Sequence, residues 1–351
     1  MIDLRSDTVT QPSEAMRSIM VKAPVGDDAY GEDASVNRLQ NYCKALFRVE
    51  DALFVTSGMM ANRLAFLSQT QPGDEVITEY SYHVHFFDSA PMTAFGGVVM
   101  NPCRSCDGLL HVEAVQEAFD TKQRYDYFAN PTLISVENTI NGWAGKIFPF
   151  ELLQKLYAFS RQKKVRMHLD GARLWNAHIA TGVPLHDYGR YTDTLSVCFS
   201  KGLGAPYGSL LMGSKATIDK ARRFRLWLGG GVHQVGMQAA AALYALNHQL
   251  DRLAEDHRLA QYFAQALQTV EGLVLTAPVE TNMVQFKVED SEKVIEACAK
   301  KGLGLFPWVP GVIRAVVHRD ISAQDLDQAA FIIQTVLSEM RSSITSKRHF
   351  A

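Results

Sequence analysis

Cysteine is scarce: there are five in 351 residues. That is too few for a disulfide scaffold in a chain of this length. No charge of either sign dominates, since 35 Lys and Arg stand against 37 Asp and Glu. A dedicated nucleic-acid binder would carry a basic excess, and this chain has none. No window approaches 18 consecutive apolar residues, so no membrane span is expected. The start, Met1-Ile2-Asp3-Leu4-Arg5-Ser6-Asp7, puts no apolar core behind a basic flank, so no signal peptide is expected either. Internal repeats, low-complexity tracts and an H-E-x-x-H motif are also missing. What remains is an ordinary globular composition, 47% hydrophobic and 21% charged, long enough for two domains or three. The expectation is a soluble, cytoplasmic protein.

Strand-like and helix-like segments alternate along the first two thirds. Val36, Leu39, Cys43, Leu46 and Phe47 recur at helical spacing. The apolar run Ala52-Leu53-Phe54-Val55-Thr56 reads as a buried strand, meets Ser57-Gly58, and gives way to a helical stretch over residues 59–68. Gln71-Pro72-Gly73-Asp74 is a turn. Further strands are expected at residues 75–78, 98–100, 132–136, 165–169, 194–198 and 209–212. A helix with Leu152, Leu153, Leu156 and Phe159 on one face falls among them. This alternation predicts an α/β domain with a mostly parallel sheet covered on both faces. After Gly229-Gly230-Gly231 the pattern changes to long helices at 239–250 and 252–270. Short strands at 273–276, 283–288 and 313–317 follow, with helices near 292–300 and 323–340. That predicts a smaller α+β C-terminal domain. The expected divisions are an N-terminal arm (1–20), a large domain (21–235), a small domain (236–340) and a frayed polar tail (341–351).

The segment His168-Leu169-Asp170-Gly171-Ala172-Arg173 ends a strand in a carboxylate. Ligands of open α/β sheets bind beyond the carboxyl ends of strands, where an acid can meet a cationic ring nitrogen. Further on, Phe199-Ser200-Lys201-Gly202-Leu203-Gly204 ends another strand in Ser-Lys and a glycine-rich turn. A lysine so placed can form a Schiff base with an aldehyde cofactor. Taken singly, Lys201 reads as a solvated surface lysine and Asp170 as a helix cap. Together they match the pair that pyridoxal phosphate enzymes need: an amine for the imine and an acid near the ring nitrogen. Ser57-Gly58-Met59 adds a helix start whose free N–H groups suit a phosphate. Capping alone would also account for that serine. Cys103-Arg104-Ser105-Cys106, with His111 following, is a lone C-x-x-C pair. Structural zinc takes four ligands and no second pair exists, so core or loop cysteines and no metal are expected.

Further motifs extend the pattern: Asp3-Leu4-Arg5-Ser6-Asp7-Thr8-Val9-Thr10, Val25-Gly26-Asp27-Asp28-Ala29-Tyr30-Gly31-Glu32-Asp33, Val36-Asn37-Arg38-Leu39, Glu137-Asn138-Thr139, the run SKGLGAPYGS at 200–209, and Arg314 before Val317-His318. With the segments above they resemble the low-specificity L-threonine aldolase family, pyridoxal phosphate enzymes of the aspartate-aminotransferase fold (fold type I). The resemblance covers nearly the whole chain. It implies a transferase-like large domain on a mostly parallel seven-stranded sheet. Lys201 would hold pyridoxal 5'-phosphate as a Schiff base, and Asp170 would keep its ring nitrogen protonated. Ser57, Gly58, Met59 and Ser200 would surround the phosphate. His83, in Tyr82-His83-Val84-His85, would stack on the ring and assist proton transfer at the substrate's β-hydroxyl, with His85 beside it. Ser6, Tyr30, Arg173 and Arg314 would bind substrate, the guanidinium groups holding its carboxylate through paired hydrogen bonds. Arg173 would also border the cofactor. The implied reaction is retro-aldol cleavage of L-threonine, L-allo-threonine or another β-hydroxy-α-amino acid to glycine and an aldehyde. The implied partner is that small amino acid, with no nucleic acid or membrane. The implied assembly is a dimer of dimers with active sites at subunit interfaces.

Three positions depart from the family. Ile140 stands where a histidine usually follows Glu-Asn-Thr; an apolar residue there suggests a bulkier or aromatic β-substituent. Met59 stands where a threonine usually follows Ser-Gly, which removes a phosphate hydroxyl but leaves the amide. His233, after the glycine triplet, stands where an arginine usually binds phosphate; Arg222, Arg223 or Arg225 would compensate. These departures keep two other readings open: an amino-acid racemase or β-eliminating lyase on the same scaffold, and a non-catalytic protein that keeps the fold.

Overall fold

A computed structural model describes residues 1–348 apart from 123, 124 and 126. The first strand, β1 (Ile2–Asp3), stands apart from the central sheet. That sheet has seven strands: β2 (Asp51–Val55), β3 (Glu75–Glu79), β4 (Val99–Cys103), β5 (Pro131–Glu137), β6 (Arg166–Gly171), β7 (Thr194–Cys198) and β8 (Ser209–Gly213). Their spatial order is β2-β8-β7-β6-β5-β3-β4. Pairing is parallel from β7 through β6, β5 and β3 to β4, while β8 runs antiparallel to both β7 and β2. All seven strands fall on the apolar runs of the sequence. β3, β7 and β8 are buried at every position, as expected of strands covered by helices on both faces. Because β2, β3, β5, β6 and β7 all point the same way, their carboxyl ends share one edge of the sheet.

A second sheet contains β9 (Val274–Leu275), β10 (Met283–Lys287), β12 (Phe306–Val309) and β13 (Val312–Val316), in the antiparallel order β12-β13-β10-β9. The remaining strand, β11 (Leu303–Gly304), pairs in parallel with β1. The sequence pattern misses β1, β11 and β12. The first two are two residues long, and β12 contains Pro307, which a strand tolerates only at an edge or a bulge.

Among the described residues there are two hydrophobic cores, the first running to Leu253 and the second, apart from Ile2 and Leu4, starting at Leu259. The helix Gly236–His248 buries Ala239, Ala241, Ala242 and Ala245 in the first core, against helices Glu14–Lys22 and Ala34–Phe47. Its small side chains let three helices approach closely, which a polarity pattern does not reveal. The first twenty residues are shared between the cores too. Ile2 and Leu4 join the second core, with Val316 N–H donating to the Leu4 carbonyl at 2.8 Å, while Met16 joins the first. The expected frayed tail is helical as far as the helix Ala323–Arg348 extends; residues 349–351 lie outside the described ones. Among the described residues no helix is long and apolar enough to cross a membrane.

Candidate active site

The shared strand edge gathers most of the residues singled out from the sequence. Ser57 follows β2 and caps the helix Gly58–Gln69, its hydroxyl accepting the Met60 N–H at 3.2 Å. His83 follows β3 and opens the short helix His83–Phe86. Glu137 ends β5, Asp170 is the penultimate residue of β6 in register with it, and Ser200-Lys201 follow β7. Five segments distant in sequence thus meet because parallel strands end together.

Asp170 is only 2% exposed. Its carboxylate accepts from the Asn62 amide at 2.7 Å and the Ala172 N–H at 3.0 Å. Among the described residues it has no ion-pair partner. Asn62 lies one turn into the helix that Ser57 caps. Its oxygen accepts from Ser196 and is 3.0 Å from His168 Nε2. Burial pushes the His168 imidazole down to about 4, so it is neutral and serves as a scaffold. Asn62 carried no signal in the sequence, because a buried asparagine in a helix looks like any other. Glu137, buried beside Asp170, is pushed up to about 7 by burial and by that neighbour's charge. It accepts N–H groups from Asn141, at 2.7 Å, and from His83.

The guanidinium groups of Arg173 and Arg314 are both buried. Arg173 makes two parallel bonds to Asp7, at 2.6 and 2.9 Å. Burial alone would raise the Asp7 carboxyl, but Arg173 outweighs it and holds the group far below the usual carboxylate range, with Lys201 and Arg314 adding to the pull. Arg314 donates to Asn141 Oδ1 at 2.7 Å and to the Arg5 carbonyl at 3.1 Å, and its Nε has no partner. Burial, then the nearby Arg173, lowers it to about 10. A guanidinium destabilised in this way favours an anion. In the sequence nothing sets Asp7 apart from its neighbour Ser6, because its partner Arg173 lies far along the chain. Ser6 caps the turn Asp7–Val9, accepting the Thr8 N–H at 3.2 Å.

The beta-eliminating lyase family model matches residues 3–291. The chain is 38% identical over 331 residues to the low specificity L-threonine aldolase of Escherichia coli (strain K12), covering 94% of this chain and 97% of that one. It belongs to the beta-eliminating lyases, among the low-specificity L-threonine aldolases. A second family member, low-specificity L-threonine aldolase 1 of Arabidopsis thaliana, is 36% identical over 348 residues and 97% of both chains. The fold is shared with the threonine aldolase of Leishmania major (TM-score 0.83, 19% identity, 96% of this chain and 100% of that one). It is shared too with an aspartate aminotransferase of Thermotoga maritima (TM-score 0.75, 16% identity, 96% and 92%).

As a member of this family the chain is a pyridoxal-phosphate-dependent lyase. Its residues fit that cofactor on two observations. Asp170 is a buried carboxylate bonded only to neutral donors, so a cationic N–H would complete it. Gly58 opens the helix start: a Cβ there would lie 2.7 Å from Cys198 Sγ, so only glycine lets the helix begin this close to β7, with its first N–H groups at the strand edge where a phosphate would bind. Met59 is 43% exposed. Lys201 is half-buried, its carbonyl held by Thr10 Oγ1 at 3.0 Å.

The two histidines differ. His85 Nδ1 is 2.8 Å from the Tyr80 carbonyl, which can only accept, so Nδ1 carries a proton and donates it there. His83 Nδ1 faces Asp88 Oδ2 at 3.4 Å, an ion-pair contact rather than a well-formed hydrogen bond. Asp88 is fully buried, with Arg63 3.7 Å away on its other side. Burial would lower the His83 imidazole, but Asp88, Asp170 and Glu137 together outweigh it and raise the group.

Two residues are engaged elsewhere, and a third faces solvent. Arg225 is buried against Asp28 at 2.7 Å and the Phe54 carbonyl at 2.8 Å, where it ties down the turn Asp28–Tyr30. His233 is exposed and bonds Asp27 at 2.8 Å. Tyr30 is 80% exposed. Ile140 is fully buried in the first core, bridged by its backbone to Lys146, and offers no apolar wall to an open pocket. Cys103 and Cys106 carry free thiols, Cys103 Sγ lying 3.6 Å from the Ala114 carbonyl.

Proposed function

We propose that the chain cleaves β-hydroxy-α-amino acids, L-threonine and L-allo-threonine among them, to glycine and an aldehyde at this strand edge. The observation that supports this best is the grouping of Lys201 and Asp170 with two buried guanidinium groups and two histidines. When bound, pyridoxal phosphate supplies an electron-accepting ring conjugated to the substrate's amino nitrogen.

The chain's own residues have four tasks. Arg314 takes the substrate carboxylate, since its Nε is uncommitted, while Arg173 is held in place by Asp7 and supports the same positive field. Holding the carboxylate there would fix the substrate so that its β-hydroxyl points to His83. His83 faces the β-hydroxyl and takes its proton as the Cα–Cβ bond breaks, with His85 beside it; the oxygen becomes the aldehyde carbonyl, and the electron pair of the broken bond stays with Cα. Cα then takes up a proton, His83 gives up the one it took, and glycine leaves. Asn62, by fixing one oxygen of Asp170, keeps that carboxylate aimed at the ring nitrogen.

The assembly is a homo-oligomer, a dimer of dimers, in which the exposed Tyr30 and His233 reach a neighbouring subunit's site. The compartment is the cytoplasm, which suits five free thiols. Two measurements test the reading. Borohydride reduction of the holoenzyme should fix the cofactor to Lys201, and aldehyde should be released from a panel of β-hydroxy amino acids of both configurations. Labelling of a different residue, or inversion or β-elimination without aldehyde, would refute it.

A further inference from the structure

Beside Lys201 stands a buried hydroxyl that has none of the tasks above. Thr10 is only 8% exposed, and its Oγ1 lies 3.0 Å from two main-chain carbonyls, those of Asp7 and Lys201. The first contact is an ordinary local one, a threonine bonding back three residues in a turn. The second spans 191 positions of sequence and ends on the residue proposed to hold the cofactor. A hydroxyl has a single proton to donate, and a carbonyl can only accept. The two carbonyls therefore share one donor, and Thr10 links the backbone of Asp7 to that of Lys201.

The turn after Lys201 is held from several sides. The Lys201 carbonyl also accepts the Gly204 N–H at 2.8 Å, with Gly204 at φ 74°. A Cβ on Gly202 would lie 2.9 Å from Leu253 Cδ2, at the start of the helix Leu253–Gln268, and 4.0 Å from Asp7 Oδ2. A Cβ on Gly204 would lie 2.7 Å from Arg319 Nη1. The N-terminal segment is itself anchored at both ends. Its Leu4 carbonyl accepts the Val316 N–H at 2.8 Å, and its Gln11 N–H donates to Asp320 Oδ2 at 2.9 Å. Between these anchors Arg5 offers its carbonyl to Arg314, Asp7 its carboxylate to Arg173, and Thr10 its hydroxyl to Lys201. One short stretch of chain thus touches both guanidinium groups and the lysine.

We propose that Thr10 is a positioning residue for Lys201: by fixing the lysine's main-chain carbonyl, it sets where the amine stands when it bonds the cofactor. This rests on the assignment of Lys201 above and adds to it the residue that prepares the lysine. In the bonding step the nitrogen joins the aldehyde carbon, and the aldehyde oxygen leaves as water with the two protons of the amine. An amine whose root is fixed has its orientation settled before that bond forms, which favours the bond. Without the Thr10 hydroxyl the Lys201 carbonyl keeps the Gly204 N–H but loses its tie to the N-terminal segment.

The test is the dissociation constant of pyridoxal phosphate, by equilibrium dialysis, for the wild type, Thr10→Val, Thr10→Ser, Lys201→Ala and the double variant with Thr10→Val and Lys201→Ala. Thr10→Val should weaken binding roughly three- to tenfold, and Thr10→Ser, which keeps the hydroxyl, should bring it back to within about twofold of the wild type. Where Lys201→Ala removes the amine, Thr10→Val should change binding by less than about twofold. Thr10→Ala makes the same comparison if Thr10→Val does not fold. An equal loss with and without the lysine, or no loss in either, would overturn this inference alone. Borohydride labelling of a residue other than Lys201 in the wild type would overturn the assignment of the lysine and this inference with it.

Discussion

Glu137 gives the sharpest physical test of the site. It is buried beside Asp170 at the ends of neighbouring strands, and burial together with that neighbour raises it from the ordinary 4.5 to about 7. A carboxyl raised on folding adds stability that is fully present below its unfolded value. That stability is lost as the pH climbs through the folded one. The gap between 4.5 and about 7, at roughly 1.36 kcal/mol per pH unit, is about 3 kcal/mol in all. Most of this should disappear between pH 5 and pH 8. Glu137→Gln keeps the shape and cannot ionise. It exchanges one of the two acceptors used by Asn141 and His83, at a cost that does not depend on pH. Urea denaturation of the cofactor-free protein at the two pH values would measure the effect. The wild type should lose about 2–3 kcal/mol relative to Glu137→Gln over that interval. Loading the cofactor should shrink the difference, because a cation opposite Asp170 relieves the repulsion. Parallel pH dependences of wild type and variant would refute the reasoning.

Other perturbations probe separate links. Asp7→Asn should leave Arg173 a buried cation without its carboxylate, lowering unfolding free energy by about 3–5 kcal/mol in urea titrations; an unchanged midpoint would contradict the pairing. Asn62→Ala should free one oxygen of Asp170 and strand the partners on its other side, costing about 1–3 kcal/mol and loosening the cofactor, as read by equilibrium dialysis of pyridoxal phosphate. Asp88→Asn should remove the charge that raises His83. The acid limb of kcat/KM for aldehyde release, where His83 must be neutral to accept a proton, should then move to lower pH; an unmoved limb would sever Asp88 from the chemistry.

The strongest signals in the sequence were local. Asp170 and Lys201 each end a buried apolar run beside glycine, and a strand end is where an open sheet presents its ligands. Ser57-Gly58 was legible for the same reason, because a strand that turns at once into a helix exposes N–H groups. Asp88, Asn62 and Asp7 were not legible. Their importance comes from partners roughly 5, 108 and 166 positions away in the chain, contacts that only folding creates. Ile140 shows the reverse: a departure that reads as a pocket wall is a core residue once burial is known. Arg225, expected beside a phosphate, is neutralised by Asp28.

The sequence by itself determined the succession of strands and helices and the strand-end positions of Asp170 and Lys201, because periodicity and turn chemistry act over a few residues. Only the tertiary structure decided how the two cores divide, that Arg173 is paired with Asp7 while Arg314 keeps an unpartnered Nε, and that a bulge in a proline-bearing edge strand brings Trp308 against Phe86, Phe87 and Arg314. Those outcomes depend on packing between distant segments, and no local pattern carries that information.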